Sequence, residues 1–208
     1  MRVLVIGANG AIGKQVVQKL KDTEHEPVAM VRDSDQVAYF EDFGAKTVVA
    51  DLEQNFEKAF DEIDAVIFAA GSGGHTGADK TIIIDQEGAI ESTDLAKKFG
   101  VQRFMIVSSM GAGNPKEAKQ IKHYQYAKHR ADEHLKQSGL NYTILRPGGL
   151  TNETGTGKVN LQEHISERGT IPREDVAATL VHLLNNSRAE NQVFDLLEGE
   201  TPIENVLD

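Results

Sequence analysis

Four side chains set the chemistry this sequence offers. Ser108 and Ser109 are adjacent, and Tyr124 and Lys128 stand four residues apart. On a helix that spacing puts the phenol and the ammonium on one face. The pair is a proton-transfer device. The ammonium lowers the phenol's pKa and can hold a ribose. The phenol exchanges a proton with a carbonyl or alcohol oxygen, and a serine hydroxyl steadies that oxygen. A hydride must then come from a cofactor. We assign Tyr124 as the acid, Lys128 as the ribose anchor and Ser109 as the oxygen holder, with Ser108 beside it. Tyr126 faces another way and has Arg130 one turn on; lysine, the more compact donor, favours Tyr124. His123, His129 and His134 do not share one helical face, so no metal site is expected.

These residues need a scaffold that presents a cofactor to them. Val3-Leu4-Val5-Ile6-Gly7-Ala8-Asn9-Gly10-Ala11-Ile12-Gly13 reads as strand, tight turn and helix start. Gly7 lets the chain leave the strand, Gly10 clears the backbone for a pyrophosphate, and Gly13 lets helix and strand pack closely. Free N–H groups at the helix start suit phosphates. Val28 to Val31 reads as a second strand after a break at His25-Glu26-Pro27. At its tip, Arg32 stands where a cation selects a ribose 2′-phosphate, with Ser34 as a further donor, while Asp33 suits a 2′-hydroxyl. We favour NADP(H) over NAD(H).

Lys46 to Ala50 forms the third strand. Asp51 can accept from an adenine amino group and Leu52 can cover the ring; Asp51 also suits an N-cap for a helix starting near Leu52. Ala65 to Ala70 is a buried strand that runs into Gly71-Ser72-Gly73-Gly74, small residues that let a cofactor lie close. The pattern predicts a helix over Asp79 to Phe99 with Asp85 buried beside isoleucines 82–84. A strand over Arg103 to Val107 ends at the serines, and a loop over Met110 to Lys119 follows. Further on come a helix over Ile121 to Gln137, a strand over Tyr142 to Leu145, a helix over Pro172 to Leu184, and a last strand over Gln192 to Leu197. Thr151 to Lys158 looks least structured and is expected to act as a mobile lid. The alternation predicts one α/β domain over residues 1–208: a Rossmann fold, doubly wound, with helices on both faces of a parallel sheet. Residues 150–208 complete the substrate side.

The net charge of −10 argues against a nucleic-acid or anionic-membrane partner. No apolar run is long enough to span a bilayer. With no cysteine, disulfides, thiolate metal sites and a cysteine nucleophile are excluded. A chain that starts directly on a strand suggests no signal peptide, and a cytoplasmic location is expected.

Together these residues resemble the short-chain dehydrogenase/reductase superfamily, and within it the atypical branch of small NAD(P)-binding proteins that includes NmrA-like and biliverdin-reductase-B-like members. Such proteins are commonly labelled NAD-dependent epimerase/dehydratase. The resemblance covers nearly the whole chain. It implies cofactor contacts from Gly7, Asn9, Gly10, Ala11, Ile12 and Gly13, from Arg32 and Asp33, from Asp51 and Leu52, and from Ala69, Ala70 and Gly71. Ser108-Ser109-Met110-Gly111 and Tyr124 through Lys128 match the Ser and Tyr-x-x-x-Lys elements. Arg146-Pro147-Gly148 resembles the segment that meets the nicotinamide, which adds Pro147, Gly148 and Gly149. Arg173 to Ala177 resembles the helix start that follows the substrate loop.

The expected activity is hydride transfer to a small carbonyl or unsaturated substrate. The alternatives are an NADP(H)-sensing regulator that docks a protein partner, and an epimerase or dehydratase. The stretch after Pro147 is shorter than the substrate region of sugar-nucleotide epimerases. Gly74 to Lys80 and Thr151 to Arg168 are expected to shape the substrate pocket, where His164 or Arg168 could hold an anionic group.

Overall fold

The computed structural model describes every residue except Phe43 and His75. Its strands are β1 (Arg2–Ile6), β2 (Glu26–Val31), β3 (Lys46–Val49), β4 (Ala65–Phe68), β5 (Arg103–Val107), β6 (Tyr142–Pro147), β7 (Gly149–Thr151), β8 (Lys158–Gln162), β9 (Thr170–Pro172), β10 (Gln192–Glu198) and β11 (Thr201–Pro202). Strands β3-β2-β1-β4-β5-β6-β10 lie side by side in parallel. The chain winds outward from β1 in one direction, then returns to β4 on the other side. The crevice between the ends of β1 and β4 is therefore the topological switch point, where open α/β sheets bind ligands.

The helices are α1 (Ala11–Lys21), α2 (Val37–Glu41), α3 (Ala78–Lys80), α4 (Ala89–Lys98), α5 (Lys122–Gln137) and α6 (Arg173–Leu183). Alternating side chains of each strand feed two cores. Val3 and Val5 pack with Val16, Val17, Leu20, Leu180 and Leu183 of α1 and α6. Leu4 and Ile6 pack on the other face with Phe68, Phe104, Leu95 and Leu135, toward α4 and α5. A strand buried on both faces must read as a continuous apolar run, as β1 and β4 do.

The fold is the expected single-domain, Rossmann-like α/β structure. It departs from expectation in local ways. One edge of the sheet is antiparallel, where β8 pairs with β10 and β11 with β8. A separate two-stranded sheet joins β7 to β9. Pro27 does not break β2 but lies inside it, because β3 begins to pair only at Val28. No helix starts near Leu52: Asp51 Oδ1 accepts from Glu53 N at 3.0 Å in a turn, and a short 3₁₀ turn follows at Glu57–Phe60. The helix expected over Asp79 to Phe99 is α3 and α4 joined by a π-helical stretch, Thr81–Gly88.

The lid expected over Thr151 to Lys158 is corrected too. Its backbone is pinned to the start of α6: Asp175 accepts from Thr156 N at 2.9 Å and Gly157 N at 3.0 Å, and Glu174 from Gly155 N at 3.0 Å. Polar, glycine-bearing sequence is also what a tightly bonded loop requires, since its donors need partners and its turns need freedom.

Candidate functional site

Two cavities of about 660 and 360 Å³ meet along Gly7, Gly10, Ala70, Gly71, Ser72 and Thr76, forming one groove over the switch point. Glycine backbone shapes the middle. Gly7 has φ +81°, and a Cβ there would lie 2.5 Å from Ala70 Cα. A Cβ on Gly13 would collide with the Gly7 carbonyl oxygen, so Gly13 serves helix–strand packing and does not reach the groove. Gly10 is the N-cap of α1, with no side-chain cap and no acid in the first turn. Ala11 and Ile12 also line the groove, so the N–H groups and positive dipole end of α1 open onto it.

The smaller cavity holds Asn9, Arg32, Asp51, Leu52 and Ala70. Asp33 is not in its wall; its carboxylate takes Arg32 Nε at 3.3 Å and Gln36 Nε2 at 3.1 Å. Lys80 and Glu53, also in the wall, join in an ion pair at 2.6 Å. This chamber has room for an adenine ribose, with a cation rather than a carboxylate at its tip.

The larger cavity holds Ala69, Ala70, Gly71, Ser108, Tyr124 and Lys128. Lys128 is 2% exposed, 3.1 Å from Asp85 Oδ1 and 5.7 Å from the Tyr124 ring centroid, and its Nζ donates to Val107 O at 3.2 Å. Burial alone would lower its pKa. The Tyr124 oxygen and the Asp85 carboxylate outweigh burial and hold the ammonium above the usual lysine value. Asp85, fully buried in the π-helical stretch, also accepts from Ser72 N at 3.0 Å. One carboxylate thereby ties the loop after β4 to the lysine. Tyr126 is 38% exposed and outside the groove.

The serines part company. Ser108 lines the cavity, and its hydroxyl donates to Asp132 Oδ2 at 2.9 Å. That same oxygen receives Arg146 Nε at 2.9 Å and Nη2 at 2.8 Å. Burial pushes the Asp132 carboxyl up, against the pull of Arg146 and Ser108. Ser109 is absent from both cavity walls; its Oγ accepts from Gln125 Nε2 at 3.1 Å. Pro147, Gly148 and Gly149 also lie off the groove. A Cβ on Gly148 would meet Leu197 and the Gly169 carbonyl, so this segment is packed against its neighbours.

His164 and Arg168 are likewise off the groove; His164 Nδ1 lies 3.5 Å from Asp195. Gly74 and Thr76 line it, while His75 between them lies outside the described residues. Wall residues that escaped the sequence include Ile121, Leu150, Thr81 and Met30, while Arg173, read as a helix start, proves to line the groove as well. Ile121 sits in left-handed backbone (φ 45°), an uncommon state for a β-branched residue. Nothing in local patterning marks it. Among the described residues no three His, Cys, Asp or Glu side chains gather as a metal site. His129 meets Ala112 O and His134 meets Asp94 instead.

A family model described as NAD(P)H-binding matches residues 7–187. The chain belongs to this NAD(P)H-binding family. As such it is 46% identical over 212 residues to a protein of Bacillus subtilis (strain 168) named an uncharacterized sugar epimerase, covering 100% of this chain and 99% of that one. A solved structure from Bacillus halodurans, provisionally named NAD-dependent epimerase/dehydratase, is similar with a TM-score of 0.97 and 48% identity over 100% of this chain and 98% of that one. An oxidoreductase structure from Lactococcus lactis is similar with a TM-score of 0.87 and 30% identity over 98% and 94%. The groove fits the family's dinucleotide. An uncapped helix start, a glycine that leaves room above the backbone, and chambers on both sides of the switch point are what it requires.

Proposed function

We propose that this NAD(P)H-binding protein is an NADP(H)-dependent oxidoreductase that reduces a small carbonyl or other unsaturated substrate, with Tyr124 as the acid/base. One observation carries the reading: Tyr124 and a fully buried Lys128 line the same cavity as the glycine turn. Gly7, Gly10, Ala11 and Ile12 would hold the diphosphate, Arg32 the 2′-phosphate, and Asp51 and Leu52 the adenine. The bound dinucleotide supplies hydride. Tyr124 moves a proton to or from the substrate oxygen. Lys128 keeps a fixed positive charge beside it, and one N–H beyond its bonds to Asp85 and Val107 O is free for a ribose hydroxyl. Leu150 and Ile121 add apolar surface to the wall of this cavity.

The relatives' names favour a second reading, an epimerase or dehydratase, which would use the same tyrosine and return the hydride within each cycle. Stoichiometric NADPH consumption supports the reductase; substrate conversion with no net change at 340 nm supports the other. For Tyr124→Phe, turnover falls by about 10² to 10⁴ while NADPH affinity holds. Full turnover in that variant would remove Tyr124 from the reaction.

A further inference from the structure

The site holds two serines beside Tyr124, yet neither offers a free hydroxyl proton to the cavity. Ser109 is turned to Gln125 and lies outside the wall. Ser108 lies in the wall, 3% exposed, but its single proton is committed to Asp132 at 2.9 Å. That bond is fully buried, and the same oxygen takes Arg146 Nε and Nη2, two donors that leave it only an acceptor's role toward Ser108. A hydroxyl has one proton and two lone pairs. With the proton directed inward, what Ser108 presents to the cavity is a lone pair. The other hydroxyls near this corner, Ser72 and Thr81, lie 3.4 Å apart and share one bond, so at most one of their protons is spent on the other.

We infer that Ser108 is a hydrogen-bond acceptor toward substrate, and that the site selects carbonyl or unsaturated compounds carrying an N–H or O–H donor within two atoms of the reducible group. This rests on the reductase reading, in which Tyr124 alone donates to the reacting oxygen. A substrate without the adjacent donor leaves the Ser108 lone pair desolvated and unmatched, which a buried site penalises. Asp132 and Arg146 are then positioning residues: they touch no substrate but fix which way the serine faces.

The test uses isatin, a cyclic keto-amide whose ring N–H stands two atoms from the reducible ketone, and N-methylisatin, which carries a methyl group in place of that proton. Each is titrated into the NADPH-loaded protein, and NADPH oxidation is followed with each. Isatin is expected to be favoured in affinity and kcat/KM by about tenfold, the scale of one hydrogen bond. Ser108→Ala removes the preference by weakening isatin alone; Ser108→Thr, which keeps a hydroxyl, retains it. Equal handling of the two probes by the parent protein, failure to take either one included, overturns the inference. So does a preference that survives Ser108→Ala, because it is then steric. The underlying reading fails separately: isatin turnover undiminished by Tyr124→Phe removes the tyrosine, whatever Ser108 does.

Discussion

The two halves of the groove are made of opposite materials. The cofactor half is defined by missing side chains: Gly7 and Gly10 put bare backbone in its wall, and Gly13 behind them lets α1 pack against the turn. Two buried aspartates organise the reacting half, and two more pin segments of the chain outside the groove. Asp85 grips Lys128 and Ser72, Asp132 grips Ser108 and Arg146, Asp175 grips Thr156 and Gly157, and Asp195 accepts from Ile165 N at 3.0 Å. A steric cradle fails when an atom is added. An electrostatic frame fails when a charge is left alone.

That contrast orders the expected effects. Asp85→Ala strands a buried ammonium and should cost about 3–5 kcal/mol in urea unfolding. Adding Lys128→Met should recover much of that loss; if it does not, the frame is not electrostatic. Gly7→Ala should cost about 2 kcal/mol and abolish cofactor binding, because positive φ and a collision with Ala70 combine. Gly73→Ala is the matched control. With φ +84° and nothing within 4 Å of its Cβ position, it should cost about 1 kcal/mol from backbone strain alone. Equal costs at the two glycines would show that crowding does not define the cradle.

Arg32→Ser should weaken NADPH about tenfold and leave NADH unchanged in side-by-side titrations. Unchanged NADPH affinity would mean that the tip of β2 does not select the cofactor. The smallest effect is that of pH. A backbone bond from Gly155, aided by Lys19, holds Glu174 below its ordinary value, 4.5. The unfolded chain then binds the extra proton first. The contribution is present above that value and is lost as pH falls through the lower folded value. Glu174→Gln should flatten this part of the acid limb of stability, and the slope should be shallow because the group is partly exposed.

The same contrast decides what could be read in advance. Glycines at 7, 10 and 13 act on neighbours in sequence, so their spacing is itself the signal, and β1, α1 and the switch point followed from it. Tyr124 and Lys128 are legible for the same reason, one turn apart on α5. The aspartates act at a distance: Asp175 bonds a loop nearly twenty positions upstream, so Thr151 to Lys158 reads as loose although Thr156 N and Gly157 N are tied to the start of α6. Ser108 and Ser109 are indistinguishable by type. Only the packing of Asp132 and Gln125 decides which one meets the cavity. Strands β7, β9 and β11, of two or three residues, are too short to show an alternation; β8, Lys158-Val159-Asn160-Leu161-Gln162, does alternate, but over only five residues inside a polar, glycine-bearing region.

The π-helical stretch has a consequence for how this chain can change. Regular α-helix advances about 100° per residue, and a π turn holds an extra residue in each closed ring. Thr81–Gly88 is thus a slipped gear between two regular helices. Deleting one residue there would close the slip and swing everything upstream by about 100°, carrying Lys80 and Ile84 off the adenine chamber while α4 stayed seated. This stretch gives Thr81 and Asp85 to the larger chamber and Ile84 to the smaller, and a single in-frame deletion is enough to put those contributions out of phase.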